Sequence, residues 1–393
     1  MRELLNLFSE TESRDELGIG QIRDAFSDSL FPGTSTLHTR ARYLILVPWC
    51  FRAAEQRRLS GAALVAQAER NERRLLVTLK EAGVTEGLIG RRVGPAVKTL
   101  PSTVYWGALG QYRIRLKEGS AEALATGTAA PRALDEPEEL VDPAVTPWCP
   151  TLPPVPDSFP DVVERGLDLD RAEAAWLHDR LLEGCQGSLL EHLLSPGHRP
   201  DEESTAPWDD GSTRDAGPDV VEQLHHAELF SLAMHGAALL YNLLVAERYE
   251  QAGLTRLLDP VDSYREKIAE WAQEVVADSQ LRSWDRQAMW DLVIERNGRV
   301  AANLGVRTFV DGWLDVVQAG DATSAASRTD LRDLVRLRER QVKKAQSRLV
   351  NDKLLRDWSG SSGGSRLTYR WRQVKRLLID IHNGIEEPDG ASA

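Results

Sequence analysis

The chain has 393 residues, 42% of them hydrophobic and 27% charged, which is enough for a sizeable core and for two or three domains. Its three cysteines (Cys50, Cys149 and Cys185) include no CxxC pair, which argues against a disulfide framework and a cysteine zinc site and favours a cytoplasmic location. The net charge of −12, taken alone, disfavours a nucleic-acid partner.

The beginning of the chain has a helical pattern, and residues 1–117 are predicted to form an N-terminal helical domain. Helices are expected over residues 21–31, 37–58 and 61–81. The third helix is expected to end at Gly83, because glycine readily adopts the left-handed conformation of a helix C-cap.

The segment 62–117 has the order of elements that a helix-turn-helix needs: two helices, a glycine turn and a third helix, followed by a strand-like run over residues 112–116. Packing of three helices without DNA is the alternative. In the DNA-binding interpretation, the residues that would face the groove are Lys98, Ser102, Thr103, Tyr105 and Gln111.

The rest of the chain is also predicted to be mainly helical, so the fold class is mainly α, multi-helical, with few short strands. Residues 118–160 are rich in proline, alanine and acids and are predicted to be a linker or a wrapping segment. A central helical domain is expected over residues 161–330, a basic helical C-terminal subdomain over residues 331–385, and a disordered tail over residues 386–393.

A long uncharged stretch over residues 229–246 is interrupted by polar residues and glycine, so it is predicted to be a buried core helix and not a membrane span. His225, His226, Glu228 and His235 lie on or beside this helix, but their spacing does not match the HExxH motif of metalloproteases. Buried, hydrogen-bonded histidines are therefore expected, and the sequence predicts no metal site and no cofactor.

Positive charge is concentrated near the C-terminus. Residues 331–384 carry 14 Lys or Arg and 5 Asp or Glu, a local charge of +9 that leaves −21 for the other residues. Two amphipathic helices are predicted here, each with an apolar and a basic face. The basic faces predict contacts with a DNA or RNA backbone, and a solvated face or docking on the protein's own acids is the alternative. The residues predicted to bind nucleic acid are Arg332, Arg336, Arg340, Lys343, Lys344, Arg372, Lys375 and Arg376.

Arg338 departs from this pattern, because on a helical wheel it points into the apolar stripe of the first basic helix. It must extend to the surface, pair with an acid or reach a ligand. The loop over residues 358–365 is expected to be flexible and able to present backbone N–H groups to an anion. Trp358 and Trp371 are candidates for stacking on exposed bases, with core packing as the alternative.

Two further candidate sites lie near the N-terminus. Asp24 and Asp28 share a helix face and could hold a divalent cation for phosphodiester cleavage, but Arg14 and Arg23 are close enough to form salt bridges with them instead. The next turn and helix start offer hydroxyls, free N–H groups and basic side chains that could hold a phosphate, with plain helix capping as the alternative. This possible anion site comprises Thr34, Ser35, His38, Arg40 and Arg42.

The stretch from Arg14 to Trp49 (RDELGIGQIRDAFSDSLFPGTSTLHTRARYLILVPW) resembles the opening block of an uncharacterised bacterial family, a domain of unknown function. Two later stretches, residues 100–106 (LPSTVYW) and 367–372 (LTYRWR), resemble the same family, so the likeness covers most of the chain. The family brings no established activity. The resemblance implies a place beside helicase and phospholipase-D-like genes in phage-defence islands.

These observations lead to one functional hypothesis and two alternatives. The hypothesis is a non-enzymatic, nucleic-acid-associated subunit of a bacterial antiviral system that contacts the phosphate backbone through its basic C-terminal helices. The alternatives are a metal-dependent nuclease that uses Asp24 and Asp28, and an adaptor that binds a helicase or effector protein. No membrane partner is expected.

Overall fold

The computed structural model describes residues 15–126 and 146–388, and helices dominate this part of the chain. The described residues form sixteen α-helices and no β-strand, which confirms a mainly α fold. The strand predicted over residues 112–116 is wrong, because Arg115 forms only an isolated bridge with Trp148. The helices are α1 Gly20–Leu30, α2 Tyr43–Glu55, α3 Gly61–Glu81, α4 Pro101–Gln111, α5 Ala121–Thr126, α6 Arg171–Gly184, α7 Leu189–Leu194, α8 Pro218–Gln251, α9 Pro260–Ala277, α10 Ser279–Ser283, α11 Arg286–Arg296, α12 Arg299–Ala302, α13 Leu304–Gln318, α14 Thr329–Lys343, α15 Asp352–Arg356 and α16 Trp371–Glu386.

The chain divides into two compact units, and each unit combines segments that are distant in sequence. Among the described residues, unit 1 comprises 15–29 and 221–369, and unit 2 comprises 30–126, 146–220 and 370–388. The domains predicted from the sequence are continuous segments, so they follow different boundaries.

Parts of the predicted linker and tail lie outside the described residues, namely 127–145 and 389–393. The described part of the predicted linker contributes to unit 2, where Trp148 is buried.

The core of unit 1 surrounds the middle of α8, where Gly236 leaves room for the ring of Trp271. A Cβ atom at this glycine would lie 2.2 Å from Cζ2 of Trp271, so only glycine permits this packing. The indole N–H groups of Trp271 and Trp313 donate to the carbonyls of Leu232 and Ala233, each at 2.8 Å. These bonds hold α9 and α13 against α8.

Helix α8 is long and apolar enough to cross a membrane by length and composition, but 89% of its apolar window is buried inside the protein. Burial of this kind confirms the predicted core helix. The predicted cytoplasmic location stays a prediction.

Unit 2 is built from helix pairs that approach closely. Asn71 on α3 donates to the carbonyl of Cys50 on α2 at 2.8 Å, which satisfies a buried amide at the α2–α3 contact. Helices α6 and α16 touch at Gly384, where a Cβ atom would lie 2.5 Å from Cβ of Ala174. Glycine at this position is what allows the two backbones to come together.

The segment 62–117 is not a helix-turn-helix. Helix α3 ends at Glu81 and α4 begins at Pro101, so the connection is far longer than the turn of about three to four residues in that motif. Tyr105 is fully buried: its hydroxyl accepts from the backbone N–H of Thr39 at 2.8 Å and donates to the carbonyl of Arg40 at 2.9 Å. Gln111 donates to the carbonyl of Gly184, and of the five residues predicted to face a groove only Lys98 and Thr103 are exposed without a partner among the described residues.

Candidate functional site

The first basic helix, α14, fixes itself to the N-terminal loop of unit 1 through Arg338. Its guanidinium is buried, and it donates to the carbonyl of Leu17 at 2.7 Å from Nε and to that of Gly18 at 3.0 Å from Nη2. Gly18 has a φ of +68°, and a Cβ atom there would lie 2.6 Å from Nη2 of Arg338. Arg338 therefore neither extends to the surface nor requires a ligand, because backbone carbonyls satisfy it.

Glu16, the residue before Leu17, forms ion pairs with Lys343 and Arg348 of the basic segment. Its side chain is 6% exposed; one carboxylate oxygen accepts from Arg348 at 2.7 Å and from the Ser362 hydroxyl, and the other lies 3.1 Å from Nζ of Lys343. Burial alone would raise the pKa of Glu16, but the Ser362 hydrogen bond and the charges of Arg348 and Lys343 outweigh it and hold the pKa below its ordinary value. Lys343 and Arg348 are thus internal anchors.

The turn after α14 is shaped by a second buried carboxylate. Glu339 is fully buried and accepts from the Ser347 hydroxyl and from the backbone N–H of Arg348, the latter at 2.8 Å. Burial raises the pKa of Glu339. The helix ends at Lys343, and the next residue, Lys344, has a φ of +51°, a conformation that non-glycine residues rarely adopt.

Four basic side chains of this segment remain outside the internal network. Each is exposed, and none makes a hydrogen bond, ion pair or ring contact with another described residue. We call them the outer cations; they are Arg340, Lys344, Lys353 and Arg356. Residues 336–357 carry eight Lys or Arg and three acids, Glu339, Asp352 and Asp357. Glu339 is buried, Asp352 pairs with Arg248, and Asp357 is exposed but forms no ion pair with an outer cation.

The other cations predicted on α14 have partners inside unit 1. Arg332 pairs with Glu247, and Arg336 pairs with Asp333 at 3.0 Å. The Arg336 side chain is 42% exposed, and an exposed pair one helical turn apart contributes only about 0.2–1 kcal/mol, so it is easily exchanged for another anion. Arg332 is more enclosed and acts within the fold.

The second basic helix, α16, belongs to unit 2, and its cations are mostly engaged there. Nζ of Lys375 donates to the carbonyls of Glu202 and Ser204, and Arg376 pairs with Glu86 at 3.0 Å. Only Arg372 of the three predicted nucleic-acid contacts on this helix is exposed without a partner among the described residues. The contacts of Lys375 and Arg376 agree with the alternative in which a basic face docks on the protein itself, and nucleic-acid binding by α16 stays a prediction.

The predicted base-stacking tryptophans are core residues. Trp358 is 1% exposed and packs edge-on against Tyr249 with ring centroids 5.8 Å apart, and Trp371 is fully buried beside Phe31 at 5.9 Å. The loop after Trp358 is also anchored, because the N–H of Ser362 donates to the Asn242 side chain at 2.9 Å. That N–H is not available to an anion.

The predicted anion site is instead a buried ion-pair core of unit 2. Nε of Arg40 donates to both oxygens of Asp380 at 2.9–3.0 Å, and its Nη2 lies 2.6 Å from Asp168. Arg42 pairs with Glu173 at 2.8 Å. The polar pocket beside Arg40 has four carboxylates in its lining against two arginines, which disfavours an anionic ligand.

The remaining members of that predicted site also serve the fold. The Thr34 hydroxyl donates to the carbonyl of Phe31 at 2.7 Å, and the Ser35 hydroxyl accepts from the N–H of Leu37 at 3.2 Å. The ring of His38 stacks on Tyr105 with centroids 4.3 Å apart. Burial lowers the pKa of His38 to about 4, so it carries no charge near neutral pH.

The acids proposed for a nuclease form salt-bridge and backbone contacts. Asp24 accepts from Nε and Nη2 of Arg23 at 3.0 and 2.9 Å, as the structural alternative predicts, and Arg296 donates to the backbone carbonyl of Asp28. In the described part of the chain, one group of three potential metal-ligating side chains lies close together, and it contains neither aspartate. No geometry in the described residues supports cleavage at Asp24 and Asp28.

That group consists of His192, His198 and Asp215, which sequence reasoning missed. They fall in and beside the polar, proline-containing stretch 195–218, where no helical periodicity marks the positions. The available signal was two histidines six residues apart on either side of a Pro-Gly turn. By contrast, His226 is buried and hydrogen-bonded as predicted, because it accepts from the Trp284 indole at 2.8 Å. His235 is half-buried, and its Nε2 lies 3.2 Å from the carbonyl of Gly364.

Comparison with known proteins gives a family and no activity. A family model described as a family of unknown function (DUF6361) matches residues 1–384. No curated protein and no solved structure matches the chain. The function must therefore be inferred from the site.

Proposed function

The chain belongs to the family of unknown function DUF6361, and we propose that it binds the phosphate backbone of a nucleic acid, without catalysis, through the outer cations of unit 1. The observation that carries this proposal is the set of four exposed Arg and Lys side chains within residues 340–356 that have no partner among the described residues. Side chains of this type neutralise phosphates and release counterions, which supplies affinity without sequence specificity.

The distribution of charge supports a partner over simple solvation. The chain contains 60 Asp and Glu against 48 Lys and Arg, so it has enough acidic residues to neutralise this segment. Arg338, Lys343 and Arg348 are engaged by the N-terminal loop, whereas the outer cations form no ion pair with a described residue. Unpaired like charges held on one short segment repel each other, and a polyanion relieves that repulsion.

Contacts inside unit 1 also fix the backbone of this segment before any ligand binds. Arg338 ties α14 to the loop at Leu17 and Gly18, and Arg348 ties the following turn to Glu16. Because the backbone under the outer cations is already fixed, binding orders only the side chains, which lowers its entropic cost.

The direct test compares two variants of the full-length protein with the same change in charge. In the first, Arg340, Lys344, Lys353 and Arg356 are replaced by glutamine. In the control, four other exposed cations of unit 1 are replaced: Arg265, Lys267, Arg282 and Arg299. Fluorescence anisotropy with labelled duplex and single-stranded DNA and RNA, at about 50 mM salt, measures the affinity of each protein.

We expect the first variant to lose roughly tenfold or more in affinity and the control to lose much less, because only the outer cations contact phosphates. Equal losses in the two variants would show that only net charge matters. Absence of binding by the native protein at low salt would overturn the proposal.

We propose an antiviral system, with a helicase or another defence protein as partner, as the setting for this activity; its only support is the resemblance of the opening block. Purification of the protein from its native host, with and without nuclease treatment, tests it. Partners that are lost after nuclease treatment are bridged by nucleic acid. Partners that stay bound support the adaptor alternative, and absence of any defence protein contradicts the setting.

A further inference from the structure

The polar stretch over residues 195–218, in unit 2, is held in a defined conformation by one buried carboxylate. Asp210 is 1% exposed and accepts from the N–H of Asp201 at 2.9 Å, from the N–H of Ser212 at 3.0 Å and from the Ser212 hydroxyl at 2.6 Å. Because these donors come from both sides of Asp210, the loop is closed on itself and the position of Asp215 just beyond it is restrained.

Two histidines face this loop from the end of α7. His192 lies in the last turn of the helix, which ends at Leu194, and the chain then reverses through Gly197 with a φ of +86°. The N–H of His198 closes the turn by donating to the carbonyl of Ser195 at 3.2 Å. This turn brings the two imidazole rings to a centroid separation of 4.1 Å.

Both rings direct Nε2 at the same carboxylate. Nε2 of His192 lies 3.4 Å from Oδ1 of Asp215, and Nε2 of His198 lies 3.1 Å from Oδ2. A zinc ion binds imidazole nitrogen and carboxylate oxygen at roughly 2.0–2.2 Å, so the ligand atoms of a tetrahedral site are about 3.4 Å apart. The two observed separations, one to each oxygen of Asp215, are close to that size, and one ligand atom from each of the three side chains lies within 4.8 Å of the other two.

We infer that His192, His198 and Asp215 form a binding site for a divalent transition-metal ion, with zinc as the best-matched member of the class. Two imidazoles and one carboxylate are ligands that zinc prefers, and three protein ligands leave a fourth position for water. The Asp215 side chain is 71% exposed, so this fourth position opens to solvent. The sequence predicts no metal site, and the inference departs from that prediction.

The surrounding atoms fit this assignment. The carbonyl oxygen of Ser212 accepts from Nε2 of His192 at 2.9 Å, and it would be a further potential oxygen ligand once a bound ion displaces that proton. A bound ion would replace the protons between the imidazoles and the carboxylate, and would join α7 to the loop.

The test uses untagged, full-length protein freed of metal with a chelator, because a histidine tag would itself bind zinc. Isothermal titration with Zn²⁺ measures stoichiometry and affinity, and thermal unfolding measures stabilisation. We expect one equivalent to bind and to raise the unfolding temperature, since an ion that binds only the folded state stabilises it. Substitution of Co²⁺ and its visible absorption report the coordination geometry.

The variants separate a metal site from a simple hydrogen-bonded cluster. Asp215→Asn changes an exposed side chain and leaves the core intact, and we expect a loss of at least about tenfold in zinc affinity. His192→Ala with His198→Ala should abolish binding. The matched control is His178→Ala. His178 also contacts a carboxylate, that of Asp179 at 3.3 Å, but it is not one of the three proposed ligands.

The site is supported if the His178→Ala control still binds one equivalent of zinc while the Asp215 variant and the double histidine variant lose binding. Two results would overturn it: no saturable binding by the folded protein, or equal affinity for zinc in the native protein and the double histidine variant.

Discussion

Helices α14 and α16 have the same design in sequence, an apolar face opposite a basic face, and they use their cations in different ways. In α14, Arg338 turns inward to backbone carbonyls while Arg340 stays exposed without a partner among the described residues. In α16, Lys375 and Arg376 are engaged by neighbours inside unit 2. The buried side of α16 also contains the carboxylate of Asp380, which the apolar pattern of the sequence does not predict.

The difference teaches that a cation's role depends on partners far away in sequence. Asp380 is satisfied by Arg40, 340 residues earlier, and Arg338 binds the carbonyl of Leu17, 321 residues earlier. In both helices most cations therefore belong to a structural network, and Arg340 and Arg372 are the ones left exposed without a partner among the described residues. The other outer cations lie in the segment that follows α14. The predictions below test this contrast.

The largest effect is expected at the buried acid of α16. Asp380→Ala leaves the Arg40 guanidinium buried without its main partner, and removal of one member of a buried pair costs about 3–5 kcal/mol. Urea unfolding followed by circular dichroism measures the loss. Arg372→Gln on the exposed side of the same helix is the control and should change stability by less than about 0.5 kcal/mol. A loss below about 1 kcal/mol for Asp380→Ala would contradict the buried ion-pair core.

The next effect contrasts two neighbours on α14. Arg338→Ala leaves the carbonyls of Leu17 and Gly18 without a donor, and we expect a loss of roughly 2–4 kcal/mol in the free energy of unfolding. Arg340→Ala should cost less than about 0.5 kcal/mol. Similar losses in the two variants, measured by urea unfolding, would show that the inward and outward roles are not distinct.

A smaller effect is expected from pH. The folded-state pKa of Glu16 lies below its ordinary value of 4.5, so ionised Glu16 stabilises the fold above that value, and the stabilisation is lost as the pH falls through 4.5 towards the lower folded-state pKa. Burial raises the pKa of Asp380, so that group contributes with the opposite sign. Unfolding midpoints measured between about pH 6 and 3.5 should fall less steeply in Glu16→Gln than in the native protein. Parallel curves would exclude a stabilising ion cluster at Glu16.

Local features of the fold could be predicted from the sequence. The third helix occupies residues 61–81 as expected, and Gly83 follows it with a φ of +81°. The apolar face predicted for the second basic helix is confirmed, because Trp371, Val374 and Leu378 are buried on one side of α16. These successes depend on periodicity and capping, which are properties of neighbouring residues.

The candidate site was predictable only in part, because its character is decided by long-range contacts. The helical wheel identifies Arg338 as anomalous, but it cannot identify the carbonyls that bind it. The phosphate site predicted at Arg40 and Arg42 is wrong for the same reason, since their acids lie in other segments of unit 2. The cluster at His192 is invisible to periodicity, because a turn and not a repeat brings it together.

The measurement that tests the central proposal most directly is the salt dependence of nucleic-acid binding. The logarithm of the association constant is measured against the logarithm of salt concentration for three proteins: the native chain, the variant without the four outer cations, and a variant of α16 with Arg372, Lys375 and Arg376 replaced by glutamine. If each outer cation contacts one duplex phosphate, the slope should become shallower by roughly 3–4 in the first variant and stay close to native in the second. Equal slopes in all three proteins, or a larger change in the α16 variant, would contradict the assignment of binding to the outer cations.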